Sequence, residues 1–359
     1  MVLLMLLSVA APNAESATQG AKSPAEQVTA TYVNATITED VTWHGTVVIK
    51  GFLVVAPQTT LRIDPGTTVR FTAANDSRQL PRLVVRGRIQ CVGTVDRPIL
   101  FAPNRVAVKK ADWGGILLLS SEKRNHFEFC RIEGAETGFE GRFSTVVMKN
   151  LTVSRSITGC LFRDCMVTLA SPAVSSCDTG IEVHDSEIDV KEGMIVANRI
   201  GLALFRSSVV LLSVNVTRST LQAMDSEECR IKITSCEFSD NVGGARFSGG
   251  EGQMFLTRFV RNREIALHLS KARLKVSRCQ ITGNIRIGLK MEDDQATVWG
   301  NAISDNGGYN LEYTGQETVN VMQNWWGSRD EAAVSAKMLV TSGSANVYPW
   351  LLEKPSIFP

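Results

Sequence analysis

The chain has 359 residues, 44% of them hydrophobic and 21% charged, with a formal net charge of +2. That balance is ordinary for a folded protein and excludes a disordered chain. The small net charge excludes strong global attraction to nucleic acid or to acidic membranes.

The opening segment, MVLLMLLSVAAPNAESA, carries an apolar run from Val2 to Ala11 that leads into small residues. It reads as a signal peptide over residues 1–17, cleaved near Ala14 to Ala17. A run of about ten residues is half the roughly 20 that a membrane-spanning helix needs. No later stretch reaches spanning length, so the protein is expected to be exported to the periplasm or beyond and not to be an integral membrane protein. Residues 18–30 are small and polar and read as a flexible leader. The first cysteine is Cys91, so none stands at the processing site to carry a lipid anchor.

From there the chain is organised by a repeat. Short apolar alternations at Val47–Ile49, Leu53–Val55, Leu61–Ile63 and Val69–Phe71 are divided by Gly51, Pro57 and Pro65-Gly66. Equivalent strands then begin at Thr145, Met166, Glu187, Ser208, Cys229, Gln253, Arg273 and Gln295, with steps of 21, 21, 21, 21, 24, 20 and 22 residues. Within each repeat, runs of three to five residues alternate apolar and polar, too short for helices and of period two. Three such strands cannot pair inside one repeat. They pair with the same strand one repeat away, in parallel, and wind a solenoid that rises about 4.8 Å per coil. Residues 31–328 are expected to form the β-helix, with about 13 coils of about 22 residues each between His44 and Gly327.

The corner pattern is independent support. Ser156, Cys177, Asn198, Ser219, Asn241, Asn262, Asn284 and Asn306 recur at steps of 21 or 22. Asparagine tolerates left-handed backbone and bonds neighbouring backbone in turns, and stacked copies form a ladder. Asn198, Asn241, Asn262, Asn284 and Asn306 are therefore expected to pile at one edge. Residues 329–359 are expected to cap the C-terminal end, with RDEAAVSAKMLV at 329–340 as a short helix covering the open sheet edges.

The segments PGTTVRF (65–71), DWGGILL (112–118), NWWGS (324–328) and VYPWL (347–351) resemble those of secreted bacterial right-handed parallel β-helix proteins. The resemblance covers most of residues 43–351 and implies the pectate-lyase-like fold. Its members include carbohydrate-binding and sugar-hydrolase groups and a periplasmic copper-enzyme maturation group. It specifies architecture well and function poorly, because one fold hosts many activities.

Candidate chemistry is sparse. Eight cysteines read as reduced apolar fillers; Cys160 and Cys165, five apart in one coil, are the one pair near enough to bond. His44, His126, His184 and His268 never fall at ligand spacing and no CxxC occurs, so no metal or cofactor is expected. Stepping by 21 stacks Arg163, His184 and Phe205, and beside them Asp164, Asp185, Arg206 and Glu227. Asp164, His184, Asp185 and Arg206 are the candidates for acid/base work on a uronic-acid polymer, as a polysaccharide lyase or glycoside hydrolase. Between Arg246 and Lys290, ten Lys or Arg face only Glu251 and Glu264. Arg258, Arg261, Arg263, Lys275, Arg278 and Arg286 are the candidates for binding anionic polysaccharide or a cell-envelope glycan through charge and bidentate Arg contacts. The expected function is a non-catalytic exported β-helix that binds glycan or serves as a surface or assembly scaffold, with the lyase or hydrolase as the alternative.

Overall fold

A computed structural model describes residues 28–74, 79–121, 124–293 and 295–356. The proposed signal peptide and most of the leader lie outside these residues; Val28–Ala30, assigned to the leader, already belong to the strand Val28–Ile37. The described chain winds as an all-β parallel solenoid of about 14 turns, one more than the sequence spacing gave.

A representative coil contains Met166–Ala170, Ala173–Ser175 and Thr179–His184. First strands, from Val41–Trp43 to Thr297–Trp299, form a 12-stranded sheet, here face 1. Second and third strands, faces 2 and 3, join in one 25-stranded sheet. Pairing is parallel and in register, so identical positions stack: Val167 lies beside Ile188, Ile188 beside Val209, and Val209 beside Ile231. Inward residues such as Ile188, Val190, Ile195, Leu202 and Leu204 are each at most 1% exposed. One coil alone could not bury them; stacking makes the core continuous.

All three corners use one device. A residue with positive φ ends the strand, and the next residue points inward and is buried. Corner 1, between faces 1 and 2, has Glu192 (φ 54°) before Gly193 and Ser235 (φ 53°) before Cys236. Corner 2, between faces 2 and 3, has Asp240 (φ 60°) before Asn241 and Arg261 (φ 55°) before Asn262. Corner 3, leading back to face 1, has Asp185 (φ 48°) before Ser186 and Arg206 (φ 46°) before Ser207.

The asparagines stack at corner 2, but not in the backbone conformation expected: the left-handed residue is the one before each asparagine. The asparagine side chain instead replaces a missing strand bond. Asn262 Oδ1 accepts from Asn241 N at 3.2 Å, Asn284 Oδ1 from Asn262 N at 2.9 Å, and Asn306 Oδ1 from Asn284 N at 3.1 Å. Asn198 serves Cys177 N in the same way, and Asn241 serves Ser219 N. A second pair stands at corner 1, outside the corner 2 repeat: Asn301 accepts from Cys279 N, and Asn324 from Asn301 N. At corner 3 the acceptors are serines, Ser186 for Cys165 N and Ser207 for Ser186 N.

The device accounts for the cysteines. Cys130, Cys165, Cys177, Cys229, Cys236 and Cys279 each follow a positive-φ residue and occupy this small inward slot. All eight cysteines are buried and free, Cys160 and Cys165 included.

The helix expected over 329–340 is shorter. It covers Glu331–Ser335, capped by Asp330 accepting from Ala333 N. Met338–Val340 is a strand that pairs with Leu311–Tyr313, and Ser344–Asn346 pairs with Thr318–Asn320. Strand bonding to the coil beneath outweighs the helix propensity of an alanine-rich stretch. Trp326 is 2% exposed and packs in the core at this end.

Candidate functional site

The expected acid/base cluster is a set of local pairs at corner 3. Arg206 donates from Nε and Nη2 to both oxygens of Asp185, each at 2.8 Å. That guanidinium holds the Asp185 carboxyl below its ordinary range, the direction opposite to that of a general acid. His184 Nε2 lies 2.7 Å from Glu182 Oε1, and its ring stacks on Phe205 with centroids 4.6 Å apart. The stack also shifts by one residue from the expected register. Gln222–Glu227 begins one residue later than a step of 21 from Ile200–Phe205, so Phe205 pairs with Glu227 and Arg206 faces Glu228. The extra residue is absorbed in Ser219–Leu221.

The basic candidates do not form one patch. Arg261, Arg263 and Arg286 lie around corner 2, Arg258 on face 2, Arg278 at corner 1 and Lys275 on face 1. Much of the linear excess is also neutralised from the preceding coil: Arg246 pairs with Asp225 at 2.9 Å, Arg258 with Glu237 at 3.6 Å and Arg261 with Asp240 at 2.8 Å. Each acid stands 21 residues before its partner, outside the basic span 246–290. Arg286 pairs with Glu264. On face 3, Lys290 bridges Glu292 at 2.8 Å and Glu312 at 3.2 Å.

One surface left with unneutralised cations is face 1 between Ser208 and Trp299. Its outward side chains fall in axial columns. The middle column runs Val210, Lys232, Gln253, Lys275 and Thr297. The column next to corner 1 runs Thr234, Phe255, Ser277 and Trp299. Among the described residues, neither Lys232 nor Lys275 makes an ion pair. Phe255 and Trp299 stand two coils apart, about 9.6 Å along the axis. Trp299 is 48% exposed, the one exposed tryptophan among the described residues. Arg278 reaches back over Phe255, its guanidinium carbon 5.7 Å from the ring centroid.

Gly252 sits between Ile231 and Leu274 in register, at φ 150°, where a Cβ would lie 1.9 Å from Ile231 O. Beside it the face carries a concavity of about 340 Å³ lined by Val210, Arg230, Lys232, Gln253 and Lys275. Of these residues only Lys275 had been singled out from sequence. Stepping 22 residues in either direction from Ser277 reaches Phe255 and Trp299, and 43 back from Lys275 reaches Lys232, so the repeat held the signal.

The family model for the pectate-lyase-like β-helix domain matches residues 35–145, and the model for the right-handed β-helix region matches 195–336. The chain is a right-handed parallel β-helix protein. No curated protein matches it by sequence. Among solved structures, a point mutant of the periplasmic alginate epimerase AlgG is 10% identical, with 88% of this chain and 78% of that chain covered and a TM-score of 0.52. A double mutant of AlgG is 11% identical over the same shares, also at TM-score 0.52. The pectate lyase Pel9A is 10% identical, with 83% and 71% covered, at TM-score 0.34. At such identities the likeness to AlgG shows the shared fold.

Proposed function

We propose that this protein is a non-catalytic, exported β-helix that binds an anionic polysaccharide along face 1. The observation that carries the reading is the pair of neighbouring columns. Lys232 and Lys275, without carboxylate partners, stand beside Phe255 and Trp299, with Arg278 at the edge. Sugar rings present C–H faces that stack on aromatic side chains, and carboxylate or sulfate groups pair with Lys and Arg. Each exposed ion pair contributes roughly 0–1 kcal/mol, so useful affinity requires several in series along a polymer. An open sheet face with axial columns suits a linear chain. The shared fold of AlgG, an alginate epimerase, is compatible with such a ligand. Within this proposal, residues 1–17 direct export, the rod acts in the periplasm or outside the cell, and residues 329–359 close its end.

The test is retention on immobilised alginate across a salt gradient, with Trp299 fluorescence as a second readout. Wild type is expected to bind at low salt and elute as salt screens the contacts. Lys232→Gln/Lys275→Gln is expected to elute earlier, and Trp299→Ala to lose the fluorescence change. Flow-through of wild type at low salt, or retention unchanged in both variants, removes the proposal. Arg258→Gln and Arg261→Gln are expected to matter less, because Glu237 and Asp240 already occupy those guanidinium groups.

A further inference from the structure

Corner 2 carries a long excursion whose residues are all described. Between Ile99–Pro103 and Gly115–Leu119 the chain makes a loop over residues 104–114, where the next coils turn with three residues, as between Thr152–Ser154 and Thr158–Arg163. The loop is fixed at both ends. Trp113 is fully buried, stacks on Phe71 with centroids 3.8 Å apart, and donates from Nε1 to Glu133 O at 2.7 Å. Asp112 accepts from Lys109 N at 2.7 Å and pairs with Arg105. At the other side Lys110 Nζ reaches Asp178 Oδ1 at 2.6 Å, three coils along the axis, about 14 Å. The loop therefore stands as a wall beside corner 2.

Between wall and corner lies a concavity of about 590 Å³, lined by Lys109, Lys110, Arg155, Asp178, Arg199 and Thr220 among others. Its charges do not cancel. Asp178 is taken by Lys110, and Arg155 pairs with Glu133 at 2.7 Å. Lys109 and Arg199 make no ion pair among the described residues, so the recess keeps two uncompensated cations in its lining, which also includes Ser176 and Thr220.

We propose that this recess binds a compact dianion, a phosphate monoester such as that of a phosphorylated sugar, held between Lys109 and Arg199. Two uncompensated cations match two negative charges on one group, and the planar Arg guanidinium donates two parallel bonds to phosphate oxygens. A uronic-acid unit brings a single charge per ring and leaves one cation unmatched. The volume admits the sugar as well as its phosphate. The site is separate from face 1, so the two readings stand or fall independently.

The experiment is titration calorimetry of the full chain with inorganic phosphate, a hexose 6-phosphate and a hexuronate, in wild type, Arg199→Gln, Lys109→Gln and, as a face 1 control, Lys232→Gln. The hexose phosphate is expected to bind wild type and Lys232→Gln equally. Each recess variant is expected to bind it at least tenfold more weakly while keeping the wild-type melting temperature. The hexuronate is expected to bind at least tenfold more weakly than the ester at pH 7.5, and the ester's affinity to fall below about pH 6 as the dianion takes up one proton and becomes a monoanion. Tighter binding of hexose phosphate than of inorganic phosphate assigns the sugar a share of the recess; equal binding assigns the site to phosphate alone and overturns the sugar-phosphate ligand. No binding of either phosphate by wild type, recess variants that bind like wild type, or a hexuronate that binds as well as the ester overturns the proposal entirely.

Discussion

Asn262→Ala separates what holds the rod from what decorates it. The side chain is fully buried and makes four hydrogen bonds. Its Oδ1 accepts from Asn241 N at 3.2 Å and Asn241 Nδ2 at 3.0 Å; its Nδ2 donates to Phe238 O at 2.9 Å and Asn284 Oδ1 at 3.0 Å. Truncation strips the side-chain partner from two buried backbone groups, Asn241 N–H and Phe238 C=O, at about 1–3 kcal/mol each. The asparagines on either side lose one bond each and can turn toward other groups. The expected loss is about 4 kcal/mol, a large share of a typical domain's 5–15 kcal/mol. The adjacent Arg261 supplies the contrast. Its bidentate pair with Asp240 is about half exposed, and Arg261→Ala keeps a Cβ at the same positive φ, so the expected loss is roughly 0–1 kcal/mol. Urea unfolding followed by circular dichroism gives the two values, and hydrogen exchange of residues 237–284 shows whether the loss is local. Losses equal to within about 0.5 kcal/mol would refute the claim that the inward asparagine, and not the outward ion pair, secures the corner.

Two further outcomes follow from buried titratable groups. Burial lowers the His268 pKa below its ordinary value, against the raising influence of Glu292, whose Oε2 lies 3.3 Å from Nε2; Lys290 and Arg246 lower it further. A histidine depressed in the folded state stabilises above its unfolded pKa of about 6.5, and that contribution is lost as pH falls through the lower folded value. Wild type is expected to lose stability between pH 7 and pH 5 more steeply than His268→Gln; parallel curves would contradict this. Burial also pushes the thiol of Cys236 up to about 11 and that of Cys279 to about 12. Ellman's reagent at pH 8 is expected to find no prompt thiol in native protein and eight after denaturation, and prompt labelling of the native state would refute the packing. Cys177, whose sulfur accepts from Ser156 N, stands where other coils carry asparagine; Cys177→Asn is expected to be neutral or stabilising in urea.

The architecture was legible because the solenoid is specified locally and repeatedly. Any one coil is a weak signal, but Asn241, Asn262, Asn284 and Asn306 at steps of 21 or 22 admit few other arrangements. The left-handed residue is harder to read from sequence because a corner contains two adjacent special positions. The repeat marks the buried one by composition, whereas Ala197, Arg218, Asp240 and Arg261 at the strained one share no side-chain chemistry. Residues 329–340 misled for a related reason: a strand such as Met338–Val340 is dictated by the coil beneath it, which intrinsic propensity does not register.

Charge was the less legible quantity, and the reason is geometric. In a solenoid the nearest neighbour of an outward residue is its counterpart one coil away, so counting charge along the chain measures the wrong neighbourhood. Arg261 looks basic among residues 246–290 but sits on Asp240, and Arg246 sits on Asp225. Lys275 reads in sequence as one member of the basic run and Lys232 stands outside it, yet their column neighbours are Val210, Gln253 and Thr297, none of which can neutralise them. The one-residue slip at Ser219–Leu221 then decides which residues of the two adjoining coils share a column on faces 1 and 3, and the next coil returns to a step of 21. Function on such a rod is therefore a property of columns, and a site becomes readable only once each corner's length is known. That is why the cations best suited to an anionic ligand, Lys232 and Lys275 on face 1 and Lys109 and Arg199 beside corner 2, come from segments as much as 90 residues apart in the chain.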